Sequence, residues 1–152
     1  MPMTESKLKT ALLREIKKGS EGSGKKGQSK PIAPHLQTGR FGEDIAADHL
    51  RLKGFKILDR NVRVGHCEID IIAREGDELV FAEVRTRSQS KMMNADESVG
   101  PRKMGKLIRA GEMWTQNHNY NGFWRIDLVA VTISDAKEPE IEHFRDITEP
   151  IL

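Results

Sequence analysis

The segment EIDIIAREGDELVFAEVR, residues 68–85, constrains the fold of this chain more than any other part of the sequence. Two runs rich in Ile, Val and Phe flank a polar turn, and Gly76 with Asp77 suits a two-residue hairpin loop. The segment therefore predicts two antiparallel strands. In the resulting register Asp70 faces Glu83, and side chains along each strand alternate between the two faces of the sheet.

The opposed acids, Asp70 and Glu83, are unusual because like charges directly opposite each other destabilise a sheet. The same register places Glu68 and Arg85 on their face, whereas a three-residue loop would send Asp70 and Glu83 to opposite faces. The two carboxylates need a proton, a cationic side chain or a metal ion. An ion-pair network around Arg85 and a divalent-metal site both meet this need. Mg²⁺ takes one or two carboxylates and accepts phosphate oxygens, so a metal site would suit a phosphodiester substrate.

The remaining elements are predicted from hydrophobic periodicity. The stretch TGRFGEDIAADHLRLKG predicts a helix with Thr38 as its N-cap, Gly54 at its end and Glu43 at the border of its apolar face. Strands are predicted over FKILDRNVRV and WRIDLVAVTI, a helix from Pro101 between the third strand and the last, and an edge strand over EIEHFRDI. Hairpin-linked strands beside a helical crossover predict an α/β domain with a mixed sheet flanked by helices.

A third acid, Asp127, lies inside the apolar strand WRIDLVAV. A buried carboxylate requires a partner, because the charged form is costly to remove from water. We expect Asp127 to pair with a base on a helix and to have a structural role.

Composition limits the class of protein. The chain has 152 residues, of which 37% are hydrophobic, which suits one domain with its own core. No apolar run reaches the roughly 18 residues that a membrane span needs, so no membrane partner is expected. A single cysteine, Cys67, excludes an internal disulfide and fits a reducing compartment, so we expect a cytoplasmic protein.

The charge of the chain is unevenly distributed. Residues 1–37 contain eight Lys or Arg and three Glu, a net charge of +5, while residues 38–152 carry a net charge of −3. The first of these segments includes GSEGSGKKGQSKP, which is nearly free of apolar residues. We therefore predict a basic, largely disordered tail over residues 1–37 and a folded domain over residues 38–152. Such tails can hold polyanions loosely.

Four blocks of the sequence together resemble the YraN-like family of uncharacterised bacterial proteins. They are TGRFGEDIAADHLRLKGFKILDRN, EIDIIAREGDELVFAEVRTR, PRKMGKLIRAGE and WRIDLVAV, and the resemblance covers about residues 38–133. That family is similar to restriction-endonuclease-like nucleases and Holliday junction resolvases of the PD-(D/E)xK superfamily. The resemblance implies a restriction-endonuclease-like α-β-β-β-α-β core and a nuclease-like hydrolase that depends on Mg²⁺, with Mn²⁺ as the alternative ion.

The resemblance also implies the residues of a site. They are Asp70, Glu83 and Glu43 for the metal and for catalysis, Arg85 for catalysis, and Lys103 for nucleic acid. Arg40 and Arg87 are further candidates for binding nucleic acid. The implied partner is DNA, including branched DNA, and a homodimer is the assembly that a resolvase would require.

One departure from the nuclease motif leaves a second reading open. Arg85 stands where the motif has lysine, and an arginine can hold a phosphate or a water but cannot deprotonate and act as a base. The alternative is therefore a non-catalytic module on the same fold, which binds nucleic acid or protein.

Overall fold

The structure, a computed structural model, describes residues 34–88, 99–134 and 137–148. Its elements, in chain order, are α1 (Pro34–Leu52), β1 (Lys56–Val64), β2 (Cys67–Glu75), β3 (Glu78–Ser88), α2 (Pro101–Asn117), β4 (Trp124–Ile133) and β5 (Glu140–Phe144). The predicted α-β-β-β-α-β order is confirmed, and β5 is the predicted edge strand. Of the tail predicted over residues 1–37, residues 1–33 lie outside the described residues. Neither of the two described helices is both long and apolar enough to cross a membrane.

The five strands form one mixed sheet in the order β1-β2-β3-β4-β5. β3 and β4 are parallel, and the other neighbouring pairs are antiparallel. The parallel pair requires a crossover, which α2 provides, whereas short turns suffice for the antiparallel pairs. The predicted mixed sheet with flanking helices is confirmed.

The helix α1 begins at Pro34, four residues before the predicted N-cap, so the prediction for Thr38 was wrong. Proline suits the first helical turn because its missing N–H would have no partner there. The end of α1 is as predicted: Gly54 has φ 92°, in the left-handed region that favours glycine, and the Phe55 N–H bonds to the Leu50 carbonyl.

The β2–β3 register is the predicted one near the turn, with Glu75 opposite Glu78 and Ile71 opposite Ala82. The ladder ends at that last pair. Beyond it, the Val84 N–H donates to Asp70 Oδ2 over 2.8 Å. The predicted cross-strand pairing of Asp70 with Glu83 therefore does not continue the ladder, because a carboxylate replaces the backbone carbonyl as the acceptor and the strands separate there.

The two helices lie on opposite faces of the sheet. The Phe81 ring of β3 packs edge-on against Trp114 of α2, with ring centroids 5.7 Å apart. Thr86, on the other face of β3 by alternation, lies against Gly42 of α1. Between the sheet and α2 lies a buried cluster that includes Ile69, Ile72, Phe81, Leu107 and Ile126. In a regular strand Ile69 and Ile72 would point to opposite faces of the sheet, so their presence in one cluster shows that β2 departs from regular alternation near Asp70.

Candidate metal centre

The carboxyl groups of Asp70 and Glu83 meet where β2 and β3 separate. Glu83 is only 5% exposed, and Asp70 is half-buried. Asp70 is fixed by the hydrogen bond that its Oδ2 accepts from the Val84 N–H. Glu83 Oε2 is buried and has no hydrogen-bond partner among the described residues. Glu83 Oε2 therefore accepts no hydrogen bond while both acids are ionised, and a hydrogen bond with Asp70 forms only when one of the two acids carries a proton.

Two basic side chains approach the other oxygen of Glu83. Arg85, two residues further along β3 and thus on the same face, places Nη2 3.2 Å from Glu83 Oε1. Lys103, in the first turn of α2, places Nζ 3.7 Å from the same atom. Both bases are about one-third exposed, so their charges remain partly hydrated. An ion-pair network, one of the two alternatives that the sequence left open, is present, but it is directed at Oε1 and leaves Oε2 without a contact from these bases.

The electrostatics of the pair favour a bound proton or cation. Burial, followed by the charge of Asp70, raises the pKa of Glu83 to about 7, although Lys103 and Arg85 oppose this rise. Burial also raises the pKa of Asp70, against the hydrogen bond from the Val84 N–H and the charge of Lys103. Near neutral pH the two carboxylates cannot both be ionised without a cost in free energy. The neighbouring bases reduce that cost but do not remove it.

The helix α1 brings Glu43 to the side of this pair. A Cβ added at Gly42 would lie 1.8 Å from Thr86 Oγ1, so only glycine lets α1 approach β3 this closely. Burial raises the pKa of Glu43, and the charge of nearby Asp70 raises it further. Glu43 is half-buried and lines a cavity of 670 Å³ together with Gly39, Arg40, Asp44, Arg60, Asn61 and Glu68.

A second cavity, of 440 Å³, shares Gly39 and Glu43 with the first and is also lined by residues 84–88. The residues predicted to bind nucleic acid are thus divided between neighbouring surfaces. Arg40 lines the first cavity, Arg87 the second, and Lys103 lies beside Glu83. Arg85 lines the second cavity while also contacting Glu83.

The available ligands suit Mg²⁺, which needs few protein ligands, better than a metal ion that is coordinated by protein side chains alone. Within residues 34–88, 99–134 and 137–148, no group of three or more His, Cys, Asp or Glu side chains could hold a metal ion. The structure thus brings Asp70 and Glu83 together and places Glu43 beside them without completing a three-carboxylate set. Mg²⁺ usually binds through one or two carboxylates and keeps several waters, which matches two oxygen donors with one open atom on Glu83.

Asp127 was predicted to pair with a basic residue on a helix, but its partners lie on strands. It is fully buried, and the guanidinium of Arg125, two residues earlier on β4, donates to Oδ1 from Nε over 2.9 Å. His143 of β5 lies with Nε2 2.8 Å from Oδ2. The spacing Arg-x-Asp within one strand was the available signal, because residues i and i+2 share a face. The structural role is as expected, but the charge is balanced from within the sheet.

Asn61 was missed by the sequence analysis. It lies within β1 with φ 52°, and its side-chain amide donates to the Glu43 carboxylate, which lowers the pKa of Glu43. Asparagine tolerates this left-handed conformation better than most residues, so an Asn inside an otherwise alternating strand was the signal that could have found it.

Comparison with known proteins places the chain in a family. The profile of the Uncharacterised protein family UPF0102 matches residues 42–131. A UPF0102 protein of Oleidesulfovibrio alaskensis is 42% identical over 112 residues, which are 71% of this chain and 54% of that protein. One from an Arthrobacter species is 41% identical over 110 residues, 72% of this chain and 93% of that protein. The chain thus spans about half the length of the first relative and nearly all of the second.

Among solved structures, "The structure of Pyrococcus Furiosus SfsA in complex with Ca2+" is similar with a TM-score of 0.39 and 13% identity, over 81% of this chain and 74% of that chain. A likeness of that size does not bear on the function of this chain. The sequence matches do establish its family, because the profile covers more than half of its residues. The chain belongs to the Uncharacterised protein family UPF0102, the YraN-like family that its sequence resembles.

Proposed function

We propose that this protein is a Mg²⁺-dependent nuclease that cleaves phosphodiester bonds in DNA. The observation that carries the proposal is the pair formed by the half-buried Asp70 and the buried Glu83, with a Glu83 oxygen that accepts no hydrogen bond from the described residues. A buried carboxylate pair of this kind needs a proton or a cation. Partly exposed bases beside it, Arg85 and Lys103, suit a substrate that carries negative charge.

The residues that would hold the ion are Asp70 and Glu83, with Glu43 contacting it through water. Mg²⁺ bound there would stabilise negative charge on the phosphoryl oxygens and make a water molecule more acidic. Asp70 is held in place by the Val84 N–H, so one ligand is oriented in advance. The ion would also remove the electrostatic conflict that raises the pKa of Glu83.

The bases would bind and orient the phosphate. The guanidinium of Arg85 presents a planar set of donors that matches two phosphate oxygens, and it stays charged at any working pH. Lys103 reaches the same region from α2 and would contact the phosphate or the leaving oxygen. Arg40 and Arg87, in the two neighbouring cavities, would contact backbone phosphates on either side of Glu43. The basic residues of segment 1–37 would add a salt-sensitive contribution to DNA affinity.

The test is cleavage of labelled single-stranded, duplex, flap and four-way-junction DNA with Mg²⁺, with Mn²⁺ and with EDTA. Wild-type protein is expected to cut at least one substrate only when a divalent ion is present. Asp70→Asn and Glu83→Gln should abolish cutting, because each removes a ligand charge while keeping the shape of the side chain. Glu112→Gln, an exposed acid on α2, serves as the matched control and should cut normally. Cutting that survives in the two site variants would reject the proposal.

Arg85 favours one alternative, a non-catalytic module that binds nucleic acid. It occupies the motif's lysine position and lies 3.2 Å from Glu83 Oε1, where it partly neutralises the acid that a metal would use. Under this alternative no DNA is cut with any ion, and DNA affinity is unchanged in EDTA. Affinity that requires Mg²⁺ would argue against it.

A further inference from the structure

Asn61 adopts a backbone conformation that is unusual for its place in the fold. Among the described residues three non-glycine positions have positive φ, and Asn61, at 52°, is the one inside a strand. A non-glycine residue is held in this region inside a strand only where surrounding contacts compensate for the strain. Such residues are concentrated at functional sites, so the contacts made by Asn61 are informative.

The register of β1 and β2 puts Asn61 at the candidate metal centre. Its two chain neighbours pair with the two chain neighbours of Asp70, so Asn61 stands opposite Asp70 across the strands. An ordinary strand residue at this point would follow the alternation of the strand. The left-handed backbone interrupts that alternation, and the side-chain amide of Asn61 donates to the Glu43 carboxylate of α1.

The residues adjacent to Asn61 and Glu43 make a second contact between α1 and β1. Arg60 Nη2 lies 2.7 Å from Asp44 Oδ1, beside the contact of Asn61 with Glu43. All four side chains line the cavity of 670 Å³. The Arg60–Asp44 ion pair already ties α1 to β1 at this point, so attachment of the helix does not depend on Asn61 alone. Asn61 adds a side-chain amide that donates a hydrogen bond to Glu43 from a position opposite Asp70.

We propose that Asn61 is a positioning residue of the candidate metal centre, whose amide orients the Glu43 carboxylate beside Asp70 before a divalent cation binds. This inference rests on the proposed function. Outer partners of metal ligands fix the orientation of the acceptor oxygens, and their loss typically lowers metal affinity or activity by about 10- to 100-fold. Asn61 is exposed, so the lower end of that range, about tenfold, is expected.

The competing explanation is that Asn61 serves the backbone alone, as a residue that tolerates positive φ. Asn61→Gly separates the two roles, because glycine adopts this conformation without a steric penalty but has no amide to donate. Asn119 provides a matched control, since it has φ 51° and lies in the exposed loop after α2. Asn119→Gly makes the same chemical change away from the site.

The first measurement is Mg²⁺ binding by titration calorimetry in the absence of DNA, alongside urea unfolding of each variant in EDTA. Asn61→Gly is expected to be as stable as wild type in EDTA and to bind Mg²⁺ about tenfold more weakly, whereas Asn119→Gly should match wild type in both. In cleavage assays the Mg²⁺ concentration for half-maximal rate should rise by a similar factor while KM for DNA is unchanged. Asn61→Asp keeps the backbone tolerance and is used in the stability measurement alone, because its added carboxylate would attract the cation directly.

The outcomes separate the inference from the function on which it rests. If wild type binds Mg²⁺ and Asn61→Gly binds it equally well, Asn61 serves the backbone only and the inference is overturned while the nuclease proposal stands. If wild type binds no divalent ion, the proposed function fails and the inference fails with it. If Asn61→Gly and Asn61→Asp are both unfolded in EDTA, the role of Asn61 is structural and the inference is again overturned.

Discussion

Replacing Glu83 by glutamine should make the folded protein more stable above neutral pH. Burial and the charge of Asp70 raise the pKa of Glu83 from 4.5 to about 7. Each pKa unit corresponds to about 1.4 kcal/mol, so ionised Glu83 costs the folded state on the order of 3 kcal/mol at pH 8. Glutamine keeps the shape of the side chain and carries no charge. Glu83→Gln is therefore expected to raise the free energy of unfolding by about 3 kcal/mol at pH 8 without divalent ions.

The pH dependence has a definite sign. Between pH 4.5 and about 7 the folded state holds a proton on Glu83 that the unfolded chain has lost. Folding stability contributed by this group therefore falls as pH rises through that window and is constant above it. The advantage of Glu83→Gln should shrink from about 3 kcal/mol at pH 8 to about 1 kcal/mol at pH 5.

Urea unfolding at pH 5 and pH 8 in EDTA measures both effects, and a gain of about 3 kcal/mol corresponds to a midpoint shift of roughly 1–3 M urea. Glu112→Gln controls for loss of an exposed acid and should shift neither midpoint. Adding Mg²⁺ at pH 8 should stabilise wild type and leave Glu83→Gln unchanged, because ligand binding stabilises only the form that binds. A decrease in stability for Glu83→Gln at pH 8 would refute the reasoning and would mean that Arg85 and Lys103 fully balance the acid.

Three other predictions concern the surroundings of the site. Gly42→Ala places a methyl group against β3 and should lower the free energy of unfolding by about 1–3 kcal/mol, measured by urea unfolding; an unchanged midpoint would show that α1 does not rely on this close approach. Because hydrogen bonding from Arg145 lowers the pKa of Glu75 to about 2, its ionised form adds stability above pH 4.5 that is lost as pH falls towards 2. Glu75→Gln should therefore flatten the acid limb of stability between pH 5 and pH 2, and an unaltered limb would contradict the assignment. Arg85→Ala should weaken DNA binding about tenfold and reduce the salt slope by about one, while exposed Arg74→Ala should have neither effect; equal losses in both variants would remove Arg85 from the proposed phosphate contact.

Much of the fold follows from short-range patterns in the sequence. The β2–β3 register near the turn was predictable because a two-residue loop and two alternating runs allow a single alignment in which Ile71 meets Ala82. The parallel pairing of β3 with β4 followed from the helical segment between them. The start of α1 at Pro34 was harder to predict from the sequence, because several neighbouring residues are compatible with the beginning of a helix.

The parts of the site that escaped prediction depend on long-range contacts. The spacing of the sequence predicted that Asp70 and Glu83 lie close together. It did not predict where β2 and β3 separate, because that depends on the Val84 N–H donating to the Asp70 carboxylate and not to a backbone carbonyl. The conformation of Asn61 could be suspected from an Asn inside a strand, but its contact with Glu43 of the preceding helix depends on how α1 packs on the sheet, which the residues of the strand do not specify. The partner of Asp127 on β5 likewise depends on how the edge strand closes the sheet.

The two ends of the β2–β3 hairpin differ in how they are held. At the turn, Arg125 bridges Glu75 and Glu78 at 2.6 Å each, and Arg145 adds a bidentate contact to Glu75. At the other end the ladder is already open beside Asp70. The hairpin is thus held by ion pairs at its turn, whereas its two strands are no longer paired at the opposite end, beside Asp70. Because the ion pairs fix the hairpin at its turn, we expect the distance between the two acids to change more easily than the alignment of the strands near the turn.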